Sequence, residues 1–367
     1  MVFKIIISDR DFNVRQEIQN IASNVRWDYN RLGGCGSFSF SLPTRFCQES
    51  GLSNDFNVVI QRKHPTTAAW ATWYQGRIEQ RNHNVRGGAE SMTIAGAGYQ
   101  SQLADIYVDA DYTSKTIEFI VEDILDTYVV PNTDITKGTI AATGFTADSL
   151  SFNESALSAI QKCADIVGTR EWYVNSSRQF NFKARSSTIG FRFPISSKVL
   201  NFSNDNSSKD IATRIIVTGG DVSGTTFTRV VDDTAGQVKW GRKDKVLSNS
   251  SVTSNAVADQ LAAAAFAEFA DVVKRARLEL LDEQLIETTI PIPLVMMLTT
   301  RTKYSEKKYG TFLYNGDVGY QVNKVSYRVD NNTNLVINMQ LGQLRPSITE
   351  NISRLEFKLD QLVSQAV

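Results

Sequence analysis

The chain has 367 residues, enough for two or three domains with cores of their own. Its composition, 42% hydrophobic and 21% charged, is that of an ordinary globular protein. The 39 basic and 39 acidic residues cancel, which excludes a general field toward nucleic acid or an anionic membrane and leaves room only for a local patch.

No apolar run approaches the roughly 18 to 20 residues of a membrane-spanning helix. The opening MVFKIIISDRDFNVRQ has a short apolar run, but Asp9, Arg10 and Asp11 follow at once and no small-residue cleavage site stands behind it. A strand is expected there, not a signal peptide. The three cysteines (Cys35, Cys47 and Cys163) are widely spaced and lack the paired spacings of zinc sites, so reduced structural thiols are expected. A bridge between Cys35 and Cys47 stays open at this stage.

From the N-terminus to about residue 112 the patterns are strand-like: FKIIIS, GSFSFSLP, NVVIQRK, WATWYQGRIEQRN and ESMTIAGAGY. The clearest is residues 37 to 42, where Phe38, Phe40 and Leu42 fall on one face and serines on the other. Pro43 ends it, and Gly33, Gly34 and Gly36 before it permit backbone angles that other residues avoid. Asn82 to Asn84 and Arg86-Gly87-Gly88 are expected to join two strands as a hairpin.

Between about 113 and 195 the period changes. In TSKTIEFIVEDILDTYV the residues Ile117, Ile120, Val121, Ile124, Leu125 and Tyr128 recur at helical steps, with Thr113 or Ser114 as cap. FNESALSAIQKCADIVG repeats the pattern, with Gly168 at its C-terminal end. TREWYVNSSRQFNFKAR reads as two strands about Asn175-Ser176-Ser177. Strand patterns resume in KVLNFSND, TRIIVTGGD and TFTRVVDD, an alanine-rich helix is expected over about 255–280, and LIETTIPIPL, VGYQVNKVSYRV and NLVINMQLG return to strands. In the tail, Ile352, Leu355, Leu359, Leu362 and Ala366 step by three and four, the a/d pattern of a coiled coil. A lone helix of that length frays, so the seam is expected to pack on its own chain or on other copies.

The catalytic inventory is thin. His64 and His83 have no partner at metal-ligand spacing, no G-x-S-x-G elbow surrounds a serine, and Gly96-Ala97-Gly98 lacks the further residues of a phosphate loop. Asp105, Asp109 and Asp111 lack the glycine and distal glutamate of a calcium loop. Trp70, Trp73 and Tyr74 offer a sugar-stacking platform if exposed and core or interface packing if not. No catalytic, cofactor-binding or metal site is expected, and the chain reads as a scaffold that works through its surfaces, not as an enzyme.

RLGGCGSFSFSLP, with Arg31, Gly33, Gly34, Gly36, Phe38, Phe40 and Pro43, resembles the N-terminal signature of tail-tip proteins of long-tailed bacteriophages. WYQGRIEQRN, TIAGAGYQSQLADIYV and GDVGYQVNKVSYRVDNNTNLVINMQLGQLRPSI are similar to later stretches of the same family, so the likeness covers both ends of the chain. The resemblance implies a baseplate hub (the tail-associated protein's N-terminal hub) that is mainly β with an α+β insert. Its parts would be a tail-tube-like antiparallel β-barrel over 1–112, a mixed insert over 113–195, a second tube-like barrel over 196–346 and a C-terminal amphipathic helix over 347–367. It further implies a homotrimeric ring that adapts a sixfold tail tube to a threefold central spike or fibre. Ile352, Leu355, Leu359 and Leu362 would then hold three chains together. The implied partners are a distal tail or tube protein above, a spike or fibre below, a tape-measure protein, and genome DNA passing through the lumen without specific binding. The implied place is the virion tail tip, assembled in the host cytoplasm, with any lytic function on another polypeptide. The alternative is a receptor- or carbohydrate-binding tail protein using Trp70, Trp73 and Tyr74.

Overall fold

A computed structural model describes residues 3–342 apart from positions 20, 50, 64–68, 87–88, 145, 168–169, 185–188, 195–198, 210, 223, 249–254, 270–272, 282–293, 300–316 and 330–334. The heptad tail, Gly168, His64 and most of LIETTIPIPL therefore lie outside the described residues. The period-two segments of the N-terminal region become β1 (Phe3–Ser8), β2 (Val14–Ile18), β3 (Ser23–Asn30), β4 (Gly33–Pro43), β5 (Asn57–Lys63), β6 (Trp70–Arg86) and β7 (Ala89–Gly98), with a short helix α1 (Thr44–Glu49) after β4. In β4 Phe38, Phe40 and Leu42 are buried as expected and Ser37 is exposed, but Ser39, on the opposite face, is buried too, and Pro43 is the strand's last residue. β2 and β3 were not anticipated. Yet SNVRWDYN alternates too, with Val25 and Trp27 buried and Arg26 exposed.

The middle region opens with a one-turn helix α2 (Gln102–Asp105) and β8 (Tyr107–Thr116), which pairs antiparallel with β10 (Thr146–Ser155). That pairing corrects the first helix start. Thr113, Lys115 and Thr116 are ladder residues of β8, so α3 (Ile117–Ile124) begins later, and Thr116 caps it by accepting the Phe119 N–H at 3.4 Å. β9 (Thr136–Ile140) runs parallel to β12 (Gln179–Ala184), and α4 (Ala156–Val167) precedes the hairpin of β11 (Arg170–Val174) and β12 about the expected turn. Asn82 to Asn84 lie within the long strand β6, so the β6–β7 hairpin turns only beyond Arg86.

Then follow β13 (Ile189–Pro194), β14 (Val199–Ser207), β15 (Arg214–Val222), β16 (Thr225–Asp232), α5 (Thr234–Trp240), β17 (Asp244–Ser248), α6 (Asn255–Phe269), β18 (Val273–Leu281), β19 (Leu294–Thr299), β20 (Asp317–Val329) and β21 (Leu335–Gly342). The alanine-rich helix thus stops at Phe269, not near 280. Past it Ala276, Leu278 and Leu280 are buried while Arg277 between them is exposed, a period of two that pairs β18 with β14 and β21.

The main sheet runs β14-β18-β21-β20-β3-β4-β7-β6-β5-β1-β2, with β9, β11, β12, β13 and β19 branching from it. Its core is continuous across the two ends of the chain. Trp27 stacks on Tyr327 at 5.2 Å between ring centroids, and Trp73 meets both edge-on. Two further cores stand apart: one over residues 99–182 built by α3, α4 and the aromatic strands, and one over 212–269 where α6 covers one face of the β16-β15-β17 sheet. The architecture is mainly β with few helices.

Candidate functional site

Arg31 before β4 and the glycines at the start of β4 occupy the point where three parts of the chain meet. Arg31 sits in the turn between β3 and β4, and its backbone N–H donates to the carbonyl of Asn323 in β20 at 2.8 Å. Its guanidinium donates through Nε to the carboxylate of Glu171 in β11, and through a terminal nitrogen to Asn323 Oδ1 at 3.4 Å. Arg31 is 8% exposed and Glu171 0%. A charge buried to that degree holds only with a partner, so this pair fastens the middle region to both ends of the chain at once.

The glycines serve the same contact. β11 runs parallel to the start of β4 for two residues, Tyr173 beside Gly33 and Val174 beside Gly34. Both glycines have left-handed backbone angles, φ +96° and +87°. A Cβ on Gly34 would fall 2.0 Å from the Val174 carbonyl oxygen, a backbone atom that cannot step aside. Gly36 contributes its carbonyl, which accepts the buried Tyr74 hydroxyl at 2.7 Å. Asp28 of β3 accepts from Ser37 Oγ at 2.7 Å and pairs with Lys324 of β20 at 3.1 Å, a second tie between the first and last strand groups.

A further fastening lies at the β11–β12 turn and the neighbouring Tyr99. Tyr99 donates to Asn57 Oδ1 at 2.6 Å, and Asn57 donates to the Asp9 carbonyl at 2.6 Å. Arg178, in the β11–β12 turn, lies over the Phe12 ring at 4.2 Å, joining that turn to the β1–β2 hairpin. Burial works against ionisation of Asp9, but hydrogen bonds from Asn13 and Arg15 outweigh it and hold its pKa below the ordinary value.

Other predicted residues fall elsewhere. Trp73 is 3% exposed and Tyr74 0%, and the Arg62 guanidinium covers the Trp73 ring at 4.7 Å, so these two are core and not a sugar platform. Burial among these rings lowers Arg62 to about 10. Trp70 is half-buried under Lys4 at 5.1 Å. His83 is exposed and faces Glu90 at 3.4 Å, and Asp105 pairs with Arg77 at 3.3 Å. Among the described residues no group of three or more His, Cys, Asp or Glu side chains is placed to hold a metal ion. None of the three cysteines is in a disulfide and all are buried; burial pushes Cys35 up to about 12 and raises Cys47 and Cys163. No described helix is long and apolar enough to cross a membrane.

Sequence reasoning found Arg31 and the glycines and missed Glu171 and Asn323. A glutamate within REWYV, between residues of an otherwise aromatic and apolar strand, was the available signal for the first. Nothing local marks Asn323.

No family model matches this chain, and no curated protein matches it in sequence. Its fold is shared with solved phage tail proteins. A tail protein from Neisseria meningitidis MC58 aligns over 97% of this chain and 99% of its own, with a TM-score of 0.66 at 10% identity. The 43 kDa tail protein of prophage MuSo2 from Shewanella oneidensis aligns over 92% and 98%, with a TM-score of 0.65 at 10% identity. Prophage tail protein gp18 from Listeria monocytogenes EGD-e aligns over 97% and 99%, with a TM-score of 0.57 at 14% identity. The chain has, over nearly its whole length, the fold of phage tail proteins.

Proposed function

We propose that this chain is a structural baseplate hub of a phage tail tip, acting without catalysis. Three copies form a ring that joins a sixfold tube to a threefold spike or fibre and leaves a passage for the genome. The observation that carries this reading is the full-length likeness to tail proteins, covering 97% of this chain and 99% of the Neisseria protein. The arrangement of the strands supports it: the first and last groups pair side by side along β3 and β20. The division into 1–112, 113–195, 196–346 and 347–367 belongs to the same proposal. So do the tail residues Ile352, Leu355, Leu359 and Leu362 as the seam of three chains, the tube, spike or tape-measure neighbours, and the place at the virion tail tip after assembly in the host cytoplasm.

Light scattering on the purified protein, with end-on negative-stain images, tests this reading. A mass three times that of the chain, with threefold views around a central hole, is expected. A monodisperse monomer at every accessible concentration would refute the ring. Deleting residues 347–367 tests the seam separately, since an unchanged trimer would remove the tail helix from assembly while keeping the ring.

A further inference from the structure

On the solvent face of the main sheet, where β21, β20, β3, β4, β7 and β6 lie side by side, a trough of about 520 Å³ opens. Its floor is made of the short side chains of Ser39 and Ala95, which stand opposite one another in β4 and β7, with the Gly96 backbone beside them, while the large residues of the same strands point into the core. Long side chains wall it: Arg26 and Arg328 on one side and Glu79 on the other.

The arginine wall is unusual. Arg328 of β20 stands directly opposite Arg26 of β3 in the ladder. Like charges directly opposite one another destabilise a sheet. Arg26 donates to Ser39 Oγ at 2.5 Å, a neutral acceptor, and among the described residues neither arginine meets a carboxylate. Asp28, which lines the same trough two residues along β3 from Arg26, is already engaged by Ser37 and Lys324. Two exposed guanidiniums side by side above a floor of small residues make a fork for a carboxylate or phosphate oxygen pair.

We propose that this trough is a binding site for a short acidic segment of a partner polypeptide, with a carboxylate seated on Arg26 and Arg328. The opposite wall selects polypeptide over nucleic acid. A DNA duplex carries a phosphate charge about every 1.7 Å along its axis, so phosphates entering the trough would also meet Glu79. A polypeptide can present its carboxylate to the arginines and backbone N–H donors to Glu79. The site belongs to one protomer and does not rest on ring formation.

The test is fluorescence anisotropy of a labelled Gly/Ser peptide carrying two adjacent glutamates at low ionic strength, with a mixed-sequence DNA duplex and inorganic phosphate as competitors. Wild type binds the peptide, and Arg26→Ala with Arg328→Ala weakens binding about tenfold or more. The paired Lys variants, which keep the charge but lose the fork, fall between the two, and Glu79→Gln, which drops the charge that repels phosphates, makes the duplex a better competitor than it is against wild type. Both arginines and Glu79 are exposed, so the variants fold, and a melting temperature no lower than that of wild type confirms it. Absence of peptide binding in wild type, or equal binding by the double Ala variant, overturns the proposal. Tighter binding of the duplex, lost with the same two arginines, overturns it in favour of a nucleic-acid site.

Discussion

Replacing Glu171 by Ala strips the partner from Arg31 while leaving the guanidinium enclosed at 8% exposure, with Asn323 Oδ1 at 3.4 Å as a remaining acceptor. Breaking a buried ion pair from one side costs about 3–5 kcal/mol because the surviving charge is left uncompensated. Against a total stability of about 5–15 kcal/mol for a domain, that is enough to shift the unfolding midpoint visibly. The loss should be local first. Glu171 lies two residues before Tyr173, which pairs with Gly33, so the two-residue parallel contact between β11 and β4 should open with it. Urea unfolding followed by tryptophan fluorescence reports the stability, and hydrogen exchange at Tyr173 and Val174 reports the contact. The double-mutant cycle with Arg31→Ala isolates the pair: coupling of about 2–3 kcal/mol is expected, with the double variant recovering part of what Glu171→Ala loses. Additive single effects, or a Glu171→Ala loss below about 0.5 kcal/mol, would refute the view that this pair fastens the junction.

Gly34 and Gly224 share a left-handed backbone, φ +87° and +82°, but an added Cβ meets the Val174 carbonyl oxygen at 2.0 Å in the first case and nothing within 4 Å in the second. Gly224→Ala should therefore cost only the conformational strain of about 1–2 kcal/mol, and Gly34→Ala clearly more, as thermal melts of the two variants would show. The buried thiols should resist a disulfide reagent in the folded protein even at mildly alkaline pH, because Cys35 is pushed up to about 12; all three should react after unfolding in denaturant. Asp9 has a folded pKa below its ordinary 3.8, so its stabilising effect is complete above that value and is lost as pH falls through the folded pKa. The stability gap between wild type and Asp9→Asn, from urea midpoints across an acid series, should close at low pH; a gap that is constant with pH would refute that role.

Alternation and spacing fixed the identity of most elements before any tertiary contact was considered. In GSFSFSLP the burial of Phe38, Phe40 and Leu42 follows from a period of two, and the core stretch of α3 follows from its three- and four-residue steps. Where a local pattern had two readings, the partner strand decided. Thr113 to Thr116 joined β8 because β10 lay alongside, and residues 273–281 became strand because β14 and β21 were there to pair with them. The site divides in the same way. Glycines and an arginine before a strand can be seen in one dimension, since backbone freedom and charge are properties of single residues. That they receive β11, that Arg31 meets Glu171 from 140 positions away, and that Arg26 faces Arg328 are products of pairing between distant strands, and no local periodicity encodes which strands will meet.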